Sequence, residues 1–87
     1  MINVDVEKAA NLSEEIYEEF LKASSKFPAF ASEHEGYAVI LEEMDELWEV
    51  VKLNQKNTDR HNKCRKECIQ VAAMALRFLY DCVPEVK

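Results

Sequence analysis

Leu41-Glu42-Glu43-Met44-Asp45-Glu46-Leu47-Trp48-Glu49 sets five carboxylates among apolar neighbours in a single short stretch. The spacing predicts a helix, and the angular position of each carboxylate then matters. At about 100° per residue, with Glu42 at zero, Ile40, Met44, Leu47, Trp48 and Val51 form an apolar face centred near 180°. Asp45 and Glu49 lie opposite it, on the side expected to face water. Glu43 and Glu46 fall at roughly 100° and 40°, interleaved with Val39, Val50 and Leu53. Apolar residues on both sides of these carboxylates predict cover on both sides. Carboxylates crowded into a covered seam repel one another and lose hydration, a cost that a cation removes. The stretch therefore points to a metal site.

Further along, Cys64 to Cys82 is apolar nearly all the way round, through Cys68, Ile69, Val71, Ala72, Ala73, Met74, Ala75, Leu76, Phe78, Leu79 and Tyr80. Such a helix is buried on most sides. Glu67 shares a stripe with Val71, Met74 and Phe78, and Gln70 follows one turn on. A Glu on a buried stripe is costly unless it is paired or metal-bound. A first-turn position beside Lys63, Arg65 and Lys66 also suits an acidic residue by the helix dipole. Together with Glu43 and Glu46, Glu67 fits the metal reading.

With 87 residues, 48% of them apolar, one Gly and two Pro, the chain predicts one ordered, helix-rich domain spanning 1–87. Its net charge of −6 argues against nucleic acid and against an anionic membrane surface. No apolar run is long enough to span a bilayer, and Met1-Ile2-Asn3-Val4-Asp5 does not read as a signal peptide. A cytoplasmic protein is expected. The cysteine count is three, and Cys64 and Cys68 are one turn apart, which fits a reduced chain better than a disulfide framework. His61, Cys64 and Cys68 share a helix face, but zinc sites use loop knuckles and four ligands. Buried, small apolar cysteines are the better account.

The first helix is expected from about Asp5 to Lys26, stopped by Pro28. Ser32-Glu33-His34-Glu35 reads as a capping box opening a second helix that runs to about Asn54. Asn54-Gln55-Lys56-Asn57-Thr58 is a polar turn. Thr58 or Asp59 caps the third helix, which runs to about Cys82 before Pro84. The fold class is all-α, with a three-helix subunit. Three helices in so short a chain cannot cover the third one all round. A homodimer or homotetramer, with helices two and three of each subunit forming a four-helix-bundle core, is therefore expected.

Glu42-Glu43-x-x-Glu46, a 20-residue helical interval and Glu67 together resemble the EExxE…ExxD pattern of the MazG-like all-α nucleoside triphosphate pyrophosphohydrolases. The wording of residues 32–48 and 66–77 is similar to that of small, phage-type members, and the resemblance covers about residues 30–80. It implies cleavage of a (d)NTP to (d)NMP and pyrophosphate, with Glu42, Glu43, Glu46 and Glu67 as catalytic Mg²⁺ ligands. Mn²⁺ is a possible substitute, and hard carboxylate oxygens suit either ion. Gln70 stands where the family has Asp. Its amide oxygen is a candidate ligand that brings no charge. Lys52, Lys56, Lys63, Arg65 and Lys66 cluster near the turn before helix three, and Lys52, Lys56 and Arg65 are candidates for holding the triphosphate. The same residues also fit a non-catalytic acidic helical oligomer that binds nucleotide or a protein partner.

Overall fold

The structure, a computed structural model, describes residues 3–53, 56 and 58–85. Three helices account for most of them: α1 (Val6–Lys26), α2 (Glu33–Val51) and α3 (Arg60–Cys82), with no strand among the described residues. Asp5 caps α1, its carboxylate accepting from the Lys8 amide at 3.0 Å. Phe27 is extended, as a residue before proline must be, and α1 stops there. The capping box at α2 forms with a shift. The Ser32 hydroxyl accepts from the Glu35 amide at 3.1 Å, while Glu35 accepts from Ala31 rather than from Ser32 itself. The last helical residue of α2 is Val51, short of the expected Asn54; Asn54, Gln55 and Asn57 of the expected polar turn lie outside the described residues. Asp59 is the N-cap residue of α3, and its carboxylate accepts from the Asn62 side chain rather than from a backbone amide.

The third helix is central. It packs on both α1 and α2, whose backbones do not approach each other closely among the described residues. Glu15 meets Arg65 and Glu19 meets Gln70, so α1 runs in the same sense as α3. Gly36 meets Phe78 and Glu43 meets Glu67, so α2 runs opposite. The buried core is small: Phe20 and Ala23 of α1, Phe30 of the connector, and Ala73 and Met74 of α3, flanked by Val39, Ile40, Leu76, Phe78 and Cys82. The end of α3 also holds the α1–α2 connector. Asp81 accepts from the Phe30 amide at 3.0 Å, and Arg77 donates to the Pro28 carbonyl at 2.9 Å.

One difference from the sequence reading concerns α2. The side facing α3 carries Gly36, Val39, Ile40 and Glu43, with Leu47 and Val50 half-buried alongside. Of the apolar face centred near 180°, Met44, Trp48 and Val51 stay exposed, Trp48 at 56%. The helix has two adjoining apolar faces, and the one containing glycine goes inward. A Cβ built on Gly36 would lie 2.6 Å from the Phe78 ring and 3.1 Å from the Phe30 ring, so only glycine permits this approach. Across the described residues no helix is long and apolar enough to cross a membrane.

Gly36→Ala should therefore lower stability despite alanine's better helix propensity. Overpacking costs about 1–3 kcal/mol against a propensity gain of about 1 kcal/mol. Thermal melts should show a fall of several degrees, and an unchanged or raised midpoint would contradict the packing described.

Candidate metal centre

Glu43 and Glu46 are three residues apart on α2, which places their side chains one turn apart on neighbouring positions. The antiparallel α3 brings Glu67 opposite them. One carboxylate oxygen from each of the three lies within 4.8 Å of the other two. Glu43 and Glu67 are half-buried and Glu46 closes the group at its exposed edge. Among the described residues this is the one group of His, Cys, Asp and Glu side chains whose ligand atoms converge in this way. His61, Cys64 and Cys68 form no such group, and all three cysteines are free thiols.

The electrostatics show the cost of the arrangement. Burial pushes the Glu43 carboxyl up from 4.5 to about 7. The charge on Glu46, a hydrogen bond shared with it, and the charges of Glu67 and Glu42 act in the same direction. Glu67 is raised as well, first by burial and then by Glu46, with Lys66 opposing. Its Oε2 is buried and meets no hydrogen-bond partner. An orphaned carboxylate oxygen inside a carboxylate cluster is what a hard cation satisfies. Two oxygens on one Mg²⁺ sit at most about 4.2 Å apart, so the observed spacing needs only small side-chain adjustments to close on an ion. The residues present fit the group.

The other residues of the sequence pattern take distinct places. Glu42 is exposed and stands beside the trio, at the rim of a cavity of about 680 Å³ that Glu43 also lines. Gln70 lines the same cavity, but its amide nitrogen donates to Glu19 of α1 at 2.7 Å. The amide thus ties α3 to α1 and brings a further carboxylate to the cavity wall. An aspartate at position 70 would set like charges against each other there. Of the three cations read as phosphate holders, Lys52 pairs with Glu49 at 2.8 Å and lies 5.7 Å over Trp48. Arg65 pairs with Glu15. Lys56 is exposed, and neither it nor Lys52 lines the cavity.

The cations that do line it are Lys22, Lys26, Lys66 and Arg77, and none of the four makes an ion pair among the described residues. Lys22 and Lys26 come from α1, one turn apart, and the sequence reading passed over them. Arg77 carried a usable signal: it is the single charged residue between Val71 and Tyr80 on the all-round apolar helix. With this geometry in view, the chain was compared with known proteins: no family model matches it, and neither does any curated protein or solved structure.

The raised Glu43 group has a direct consequence for metal-free stability. Between about pH 4.5 and 7 the folded chain keeps a proton that the unfolded chain has released, so stability falls as pH rises through that window. Melts in chelator from pH 5 to 7.5 should show this fall, and Glu43→Gln should remove a large part of it. Equal slopes for the two proteins would show that Glu43 titrates as an ordinary carboxylate.

Proposed function

We propose that this chain is a Mg²⁺-dependent nucleoside triphosphate pyrophosphohydrolase, converting a (d)NTP to the monophosphate and pyrophosphate. The observation that carries the reading is the buried, unpartnered Oε2 of Glu67 inside the Glu43–Glu46–Glu67 cluster, beside a cavity lined by unpaired cations. The resemblance of Glu42-Glu43-x-x-Glu46 and Glu67 to the MazG-like pattern supplies the reaction class.

In this reading Glu43, Glu46 and Glu67 hold the metal, and Glu42 adds negative charge at its edge. Bound there, Mg²⁺ neutralises phosphate charge and acidifies water. Lys66, one residue before the Glu67 ligand, and Lys22 across the cavity contact the phosphate chain as point charges. Water oxygen bonds to the α-phosphorus as the bond to the bridging oxygen breaks, pyrophosphate departs, and the water's proton is released to solvent. Gln70 keeps Glu19 fixed on the wall, where it accepts hydrogen bonds from the hydrated ion or substrate.

Assembly belongs to the same proposal. Tyr37, Leu41, Met44, Trp48 and Val51 are all exposed, and their spacing of four, three, four and three residues is the seam of a helix that packs on another. On α3, Cys68, Ala75 and Leu79 are exposed too, and Tyr80 is 78% exposed. A second copy covering these faces gives a four-helix core from α2 and α3 of two subunits, a homodimer that can pair again into a tetramer.

Two results are expected. A screen of ribo- and deoxynucleoside triphosphates in Mg²⁺ should release pyrophosphate, and Mg²⁺ or Mn²⁺ at a hundredfold excess over its Kd should stabilise the fold by about 2.7 kcal/mol. Glu46→Gln should abolish both effects. Metal stabilisation without turnover would favour the non-catalytic binding protein, and an unchanged metal response in the variant would remove the cluster from the site. Separately, sedimentation should give at least twice the 10.1 kDa of one chain. Trp48→Glu should shift the mass toward the monomer, and a folded wild-type monomer at micromolar concentration would contradict the assembly.

A further inference from the structure

The cavity beside the acidic cluster is elongated along α3. Lys66, Gln70, Met74 and Arg77 share one stripe of that helix and all line the cavity, which gives it a run of about 16 Å. Its ends differ in chemistry. At the Lys66 end stand Glu42, Glu43 and Glu19. At the Arg77 end stand Phe27, Pro28 and Phe30, rimmed by Lys26 and by Glu35, whose carboxylate accepts from the Ala31 amide, with Met74 and Val39 between. A ligand seated along it has a charged, metal-binding part at one end and an apolar, planar part at the other.

Arg77 is the unusual residue of the apolar end. It is only 4% exposed, its guanidinium lies 4.5 Å from the Phe30 ring, and it has no carboxylate partner among the described residues. One terminal nitrogen donates to Pro28 O at 2.9 Å and the other makes a weak contact of 3.9 Å with Met74 Sδ; Nε meets nothing. A guanidinium stays charged at any working pH and carries five donors and no acceptor. Burying one beside an open cavity without an anion or a full set of acceptors is expensive. The chain keeps it there in a helix otherwise filled with apolar residues. Phe27 also lines the cavity and is 60% exposed.

We propose that the Phe27–Arg77 end of the cavity is a nucleobase slot selective for keto bases, in which Phe27 stacks on the base and Arg77 donates to its ring carbonyl. The inference rests on the nucleotide part of the function proposed above and adds the substrate class to it. A donor-only group matches an acceptor edge. Guanine offers O6 and N7, and uracil and thymine offer O4. Adenine and cytosine place an amino donor at the equivalent position, where it faces a cation with no lone pair to accept it. Lys22 and Lys66, toward the acidic end, are indifferent to the base and hold the phosphates.

Nucleoside monophosphates have no anhydride to cleave, so their binding reads this slot apart from the chemistry. Calorimetric titration of the wild-type chain in Mg²⁺ should find GMP, IMP and UMP bound at least about tenfold more tightly than AMP and CMP. IMP against AMP is the sharpest pair, since they differ at the 6-position oxygen or amine. Arg77→Gln, whose amide both donates and accepts, should bring the ratio to within about twofold. Phe27→Ala, a change at an exposed ring, should weaken all five with the ranking preserved. Equal binding of IMP and AMP overturns the proposal whatever the variants do. So does a preference that survives Arg77→Gln, or ribose 5-phosphate binding as tightly as GMP. If Arg77→Gln does not fold, the IMP–AMP ratio and the Phe27→Ala loss still decide. A keto preference without pyrophosphate release from the triphosphates would support the slot and sink the hydrolase reading alone. No nucleotide binding at all would overturn both.

Discussion

Like-charge crowding between α2 and α3 sets the terms for the rest of this fold. Glu43, Glu46 and Glu67 bring three carboxylate oxygens within 4.8 Å, and burial, reinforced by the neighbouring charges of Glu46, Glu67 and Glu42, raises the Glu43 carboxyl to about 7. Apart from the hydrogen bonds that Glu46 shares with Glu43 and Glu67, the charged cluster opposes its own assembly. What brings the two helices together is the apolar packing further along the same interface, where Phe78 settles against Gly36 and Phe30. The glycine and the carboxylates are thus two ends of one device. The first supplies an approach close enough to bury a ring, and the second bears the cost of that approach as raised carboxyl groups.

The first helix has a different task. Its backbone approaches that of α3 but not that of α2 among the described residues, which leaves a gap between α1 and α2 floored by α3. That gap is the cavity, and one wall of it carries charge because α1 presents Glu19, Lys22 and Lys26 to it. The Gln70–Glu19 hydrogen bond and the Arg65–Glu15 pair fix α1 along the polar, largely basic half of α3, while Phe20 and Ala23 fix it along the apolar half. A cleft between helices of a small bundle is a common setting for a ligand site.

Most helix boundaries were legible in the sequence because they depend on local chemistry; the end of α2, at Val51 rather than near Asn54, was not. Asp5 and Ser32 cap as their types require, and Pro28 and Pro84 stop what precedes them. The carboxylate trio was legible for a related reason: one helix turn links Glu43 to Glu46, and only the crossing with Glu67 had to be guessed. The choice between the two apolar faces of α2 was not legible from angles alone. Periodicity ranks faces by hydrophobicity, whereas Gly36 decides the matter by allowing contact. The cations were harder still. Lys52, Lys56 and Arg65 are close to the site along the chain, yet Lys52 and Arg65 are held by Glu49 and Glu15, and the cavity draws on Lys22 and Lys26 from a helix about 40 residues away. That proximity is created by how α1 lies on α3, which no local pattern encodes. Arg77 is the exception, since the burial argument applied to Glu67 applies equally to it.

Whether the carboxylate cluster binds a cation, as proposed, is read by titration with Mn²⁺ followed by electron paramagnetic resonance, because free and protein-bound Mn²⁺ give different signals. The free-ion signal should stay suppressed until at least one Mn²⁺ per chain has been added, with a sub-millimolar Kd that weakens below about pH 7 as protons compete for Glu43. A signal that rises in proportion to added Mn²⁺ from the first aliquot at pH 7.5 would contradict the proposal.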